Sequence, residues 1–180
     1  VALDLLKARA TAGFSAPVRA LQKFGFGLVC LLAYMIVTGG FVAGIRAGKA
    51  YNTFPLMNGS FIPPEIFDID PWYLNFFNNM ATVQFDHRLG AWLLALLVPW
   101  FWLRLRAQEV AAEVSSAARL ASNAMLLVVT CQITLGIFTV LHAVPVGLGA
   151  THQAGSMVVM AVLLWLNHEL RVKADPHHND

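Results

Sequence analysis

Four apolar stretches, at about residues 24–45, 83–103, 119–141 and 149–170, constrain this chain more than any other feature. Each is long enough to cross a bilayer as a helix, which takes roughly 20 residues at about 1.5 Å per residue. Composition agrees: 58% of the 180 residues are hydrophobic and 12% charged, which is wrong for a soluble domain of this length. The expected fold is all-α, a polytopic membrane four-helix bundle over residues 24–171.

The net charge of +2 sits in the connections rather than along one face. No basic stripe with interleaved aromatics is present, so the chain is expected to meet membrane lipid and not nucleic acid. Lys7, Arg9, Arg19, Lys23, Arg104, Arg106, Arg119, Arg171 and Lys173 fall on one side of the spans, and Arg46 and Lys49 on the other. Nine against two places the first side, with both ends of the chain, in the cytoplasm or matrix. Cys30 and Cys131 are isolated within apolar segments and read as buried small apolar residues.

Residues 1–23 mix basic and apolar side chains, as an amphipathic connector at the inner surface or a solvated linker would. They lack the layout of a signal peptide and the chain starts at Val1, so it reads as the later part of a longer polypeptide. Gly40 and Gly44 in the first span would admit a neighbouring backbone or a flat ligand. Residues 46–80 form a long outer loop interrupted by Pro55, Pro63, Pro64 and Pro71. Asp70-Pro71 predicts a short helix over 71–80, whose Trp72, Tyr73, Phe76 and Phe77 suit an interface. The loop is either a lid over a site or an interfacial anchor. Pro99 predicts a kink in the second span, and residues 172–180 form a polar inner tail.

Spans two and four run inward from the outer face, which sets His87 and His152 about 6 and 4.5 Å along their expected helices. A faint repeat accompanies them: IVTGGFV at 36–42 matches ITLGIFT at 133–139, aligning Gly39 with Gly136, and each is followed by a helix with histidine and then glycine at i+3. Duplicated helix pairs put equivalent residues on opposite sides of a centre. A histidine within a span has no water for its nitrogens and marks a function by default. Two at one depth fit the two axial positions of a porphyrin iron, with Gly90 and Gly155 leaving room for the macrocycle. Zinc would want four close ligands, and no cysteine or carboxylate cluster accompanies the pair. Arg88 needs an anion in such a place; Asp86 or a heme propionate would serve, and Arg46 and Lys49 are alternative propionate partners. His142, His168, His177 and His178 lie at helix ends or in the tail.

Over nearly all of residues 38–171 the chain resembles the C-terminal half of the heme A synthase family, in the form shared by mitochondria and related bacteria. The motifs that carry the resemblance are GGFVAGIRAGKAYNTFPLMNGSFIPP, NFFNNMATVQFDHRLG, QITLGIFTVL, VPVGLGATHQAGS and WLNHELR. It implies one half of a duplicated eight-helix membrane protein of the bacterial or mitochondrial inner membrane, with heme b as cofactor between His87 and His152. It implies an oxidoreductase that converts the C8 methyl of heme O, through an alcohol, to the formyl group of heme A for cytochrome oxidase. The oxidation itself is then expected in the missing N-terminal half, with this half relaying electrons and not competent alone. Implied partners are that N-terminal half, heme O and heme A, heme O synthase and an electron acceptor. Two other classes compete: a stand-alone bis-histidine b-type cytochrome, and a non-enzymatic membrane bundle with structural histidines.

Overall fold

The computed structural model describes residues 13–172. Within them the helices are α1 (Ala16–Gly44), α2 (Ala47–Ala50), a 3-10 turn (Trp72–Leu74), α3 (Asn75–Asn78), α4 (Met80–Arg104), α5 (Gln108–Ala111), α6 (Ser116–Leu141) and α7 (Val146–Glu169). No strand occurs among the described residues. Residues 1–12 of the expected connector and 173–180 of the expected tail lie outside them.

Three helices, α1, α6 and α7, are long and apolar enough to cross a membrane. The fourth long helix, α4, has 25 residues but opens with a polar first half containing Thr82, Gln84, Asp86, His87 and Arg88. Local chemistry sets where each begins. Pro17 occupies the first turn of α1, Pro145 precedes α7, and Ser115 caps α6 by accepting from the Ala118 N–H at 3.0 Å. Asn79 caps α4, its side-chain oxygen accepting from the N–H groups of Ala81 at 2.9 Å and Thr82 at 3.2 Å. Both histidine-bearing helices therefore start three residues before the apolar stretches suggest. His87 and His152 lie about 10 and 9 Å along them, still near one level.

α1 packs against α4 and α7, and α6 packs against the same two helices. The histidine-bearing helices α4 and α7 are thus one diagonal of the arrangement. Most of the core sits at the end where α1 begins and α7 finishes: Val18, Leu21, Leu28, Phe101, Leu105, Val110, Val114, Ala118, Leu163, Leu166 and Leu170 are buried together. Polar ties close that end, with the Ser15 N–H donating to Glu113 at 3.0 Å and Gln22 donating to the Leu170 carbonyl at 2.8 Å. At the other end packing thins. Between Val129 on α6 and Val159 on α7, Thr139 is the one buried residue.

The predicted helix over 71–80 forms from Trp72 to Asn78, as a 3-10 turn continued by α3, and stops there. Asn79 takes an extended conformation (φ −90°, ψ 114°), which separates α3 from α4 and frees its side chain to cap the longer helix. Cys30 and Cys131 are exposed rather than buried. The reason is general to membrane helices: a lipid-facing surface is as apolar as the packed one, so apolar neighbours in sequence do not tell inward from outward. α4 continues through Pro99 to Arg104.

Candidate functional site

The site lies where α4 and α7 enter the thinly packed end, and glycines on the preceding helices shape it. The His87 ring lies against Gly39 of α1; a Cβ there would sit 3.1 Å from Cε1. The His152 ring lies against Gly136 of α6, where a Cβ would sit 2.8 Å from Cε1. Three residues further along, Gly90 admits the side chain of Met35 and Gly155 that of Gln132, each too close for any Cβ at the glycine. Adding 97 to 35 and 39 gives 132 and 136, and adding 65 to 87 and 90 gives 152 and 155. The faint sequence repeat therefore corresponds to a repeated set of contacts.

The two surroundings differ in one respect. His87 Nδ1 has the Thr38 hydroxyl at 3.0 Å. His152 Nδ1 is buried with no side-chain hydrogen-bond partner, and the main-chain carbonyl of Gln132 faces its ring. Gln132, nearby, donates instead to the main-chain carbonyl of His152 at 2.7 Å.

Gly90 and Gly155 were expected to leave open room beside the ligands; what each admits here is a side chain of the neighbouring helix. Both are unbranched and adaptable, so a flat group entering between the imidazoles would displace flexible chains and not backbone. Apolar grooves of about 390 and 170 Å³ run along α6, the first lined by Thr130, Cys131, Thr134, Leu135, Phe138 and Leu148; neither is lined by a histidine. No group of three or more His, Cys, Asp or Glu among the described residues is arranged to hold a metal ion. A two-ligand iron in a macrocycle does not need one.

Asp86 and Arg88 do not neutralise each other, because they leave the helix in different directions. Asp86 accepts from the hydroxyl of Tyr34 on α1. Arg88 donates to the carbonyls of Tyr51 and Thr53, both at 2.8 Å, with those of Pro55 and Leu56 at 3.4 Å. Gln84, buried, also donates to the Tyr51 carbonyl at 2.8 Å. Further along the loop, Thr82 accepts from the Phe67 N–H at 3.1 Å, Asn79 donates to the Glu65 carbonyl at 2.8 Å, and Asn75 bonds both main-chain groups of Ile69.

The polar beginning of α4 is thus a rack that holds the backbone of the 46–80 loop. Sequence reasoning placed Gln84 and Arg88 beside the ligands but missed Asn75, Asn79 and Thr82. Their regular recurrence ahead of His87 was the available signal. Tyr51 is tied in further by donating to Glu65 at 3.1 Å; partial burial and that carboxylate push its phenol above the usual range. His142 is exposed, stacked on Phe138 and bonded to its carbonyl, away from the pair.

A family model described as cytochrome oxidase assembly protein, COX15-CtaA, matches residues 1–164. The chain is 55% identical over 171 residues to a heme A synthase of Nitrosospira multiformis, covering 95% of this chain and 47% of that protein. It is 42% identical over 169 residues to a heme A synthase of Parvibaculum lavamentivorans, covering 94% and 46%. It is 38% identical over 152 residues to the heme A synthase COX15 of Bos taurus, covering 84% and 36%. The chain spans about half the length of the bacterial relatives it matches. No solved structure matches it. Three membrane-length apolar helices and this kinship make it a membrane protein. With almost all of its length matched, the chain belongs to the heme A synthase family of cytochrome oxidase assembly proteins.

Proposed function

We propose that this chain is the C-terminal, heme b-binding half of a heme A synthase, in which His87 and His152 would hold the heme iron. The observation that carries the reading is the repeated contact set: each imidazole lies on a glycine of the preceding helix, Gly39 or Gly136, at one depth on diagonal helices. The same correspondence supports a four-helix bundle built from two equivalent helix pairs, itself one half of a duplicated eight-helix protein. α4 crosses the membrane as the fourth span, its polar half kept from lipid by the loop it holds.

When bound, heme b supplies a one-electron site for electrons released as the heme O methyl is oxidised to the formyl of heme A. The chain's own residues do the rest. His87 and His152 would supply the ring nitrogens that hold the iron, and Gly39 and Gly136 set how closely each ring approaches its neighbouring helix. Gly90 and Gly155 let Met35 and Gln132 in beside the ligands. Arg88 holds the 51–56 backbone over the outer side and keeps a fixed positive charge next to His87, suited to a propionate. Catalytic residues for the oxidation belong to the N-terminal half, and heme O synthase and an electron acceptor are its further partners. The excess of Lys and Arg at the terminal end supports an inner-membrane orientation with both ends of this chain in the cytoplasm or matrix.

Pigment extraction with mass measurement, on the full-length protein and on this chain alone, tests the reading. The expected result is heme b with this chain and heme b together with heme O or A in the full-length protein. Absence of any heme from both would end the heme reading. Heme b, with no heme O or A in either, would favour a stand-alone b-type cytochrome.

A further inference from the structure

We propose that Thr38 is a positioning residue for His87 and that it makes the two imidazoles of the site inequivalent. The inference rests on the assignment of His87 and His152 as heme ligands. Thr38 is buried, and its hydroxyl oxygen lies 3.2 Å from the Met35 carbonyl and 3.0 Å from His87 Nδ1. A hydroxyl carries one hydrogen. Directed to the Met35 carbonyl, it leaves the oxygen free to accept from His87 Nδ1–H. The chain of hydrogen bonds therefore runs from the imidazole through Thr38 to the backbone of α1. It keeps the proton on Nδ1 and the lone pair on Nε2, the form in which an imidazole binds iron, and it holds the ring against rotation.

The other half of the repeat lacks this device. The offset of 97 that relates Met35 to Gln132 and Gly39 to Gly136 relates Thr38 to Leu135. Leucine offers no hydroxyl, and His152 Nδ1 is buried with no side-chain partner. The Gln132 side chain is engaged with the His152 carbonyl. Each ring thus rests on a glycine and faces a main-chain carbonyl, Met35 for His87 and Gln132 for His152, and the Thr38 hydroxyl is the addition on the His87 side. A hydrogen-bonded imidazole is the more basic ligand and favours the ferric state. With the added hydroxyl, His87 is therefore the more firmly positioned and the stronger of the two ligands.

The test compares Thr38→Val, Thr38→Ser and Leu135→Thr in the full-length protein, reading heme b per protein and the midpoint potential of heme b by redox titration. Thr38→Val is expected to weaken heme b retention about tenfold and to raise the potential. Thr38→Ser is expected to restore both, and Leu135→Thr to lower the potential by giving His152 a side-chain partner. Valine keeps nearly the shape of threonine, so a purely packing role predicts no change in potential. Unchanged retention and potential in Thr38→Val, while His87→Ala still loses heme b, would overturn the positioning role and leave the ligand assignment intact. Heme b retained by His87→Ala overturns the ligand assignment itself. A potential unmoved or raised in Leu135→Thr overturns the inequivalence.

Discussion

The ring of His152 rests on Gly136 so closely that a Cβ there would lie 2.8 Å from Cε1, inside any ordinary carbon contact. Gly136→Ala is therefore expected to push His152 out of position and lower heme b content severalfold. Gly39→Ala, where the corresponding distance is 3.1 Å, should have a milder effect. Alanine favours a helix over glycine by roughly 1 kcal/mol, so lost heme could not be ascribed to a weaker helix. Heme absorbance per protein for the two variants checks the order.

Replacing His87 or His152 with alanine should abolish the low-spin heme b spectrum while leaving the protein in the membrane. Insertion rests on apolar length, which neither change alters. Optical spectra of membrane extracts, with immunodetection of the protein in the membrane fraction, separate the two properties. Retained low-spin heme b in both variants would refute the ligand assignment.

Asn79→Ala removes the cap on Ala81 and Thr82 and the tie to the Glu65 carbonyl. A lost cap alone costs about 1 kcal/mol. The expected outcome is faster hydrogen exchange across residues 65–82, with the terminal end of the helices unaffected, because its core lies far along α4. Exchange measured by mass spectrometry on the purified protein would show it.

Arg88→Lys keeps the charge beside His87 but loses the fork that serves the Tyr51 and Thr53 carbonyls together. Limited proteolysis should then cut the 51–56 segment about fivefold faster, the change expected for one net hydrogen bond of about 1 kcal/mol. Heme b should be largely retained. A cleavage rate equal to that of the unmodified protein would remove Arg88 from the loop-holding role.

Much of this was legible in the chain because membrane helices carry their own signal. Apolar length located the long helices to within a few residues, except that α1 begins at Ala16, since Arg19 and Lys23 continue the same helix past the apolar stretch. The histidines stood out because imidazoles are rare in such segments, and the matching glycines because two short repeats share them. The expected helix over 71–80 ends at Asn78 because Asn79 serves better as a cap than as a helical residue. Cys30 and Cys131 were misplaced because hydropathy has no inward direction in lipid.

By itself the sequence determined the helical class, the two histidines at one depth and the repeat relating them, since these depend on local composition and spacing. Only the tertiary structure decided which groups meet. It turned Arg88 toward the loop and Asp86 toward Tyr34, set Gly39 and Gly136 beneath the imidazoles, and gave His87 a hydroxyl that His152 lacks. The reason is physical: a side chain's partner is set by the rotation and approach of two separate helices, and neither is written in the residues of one.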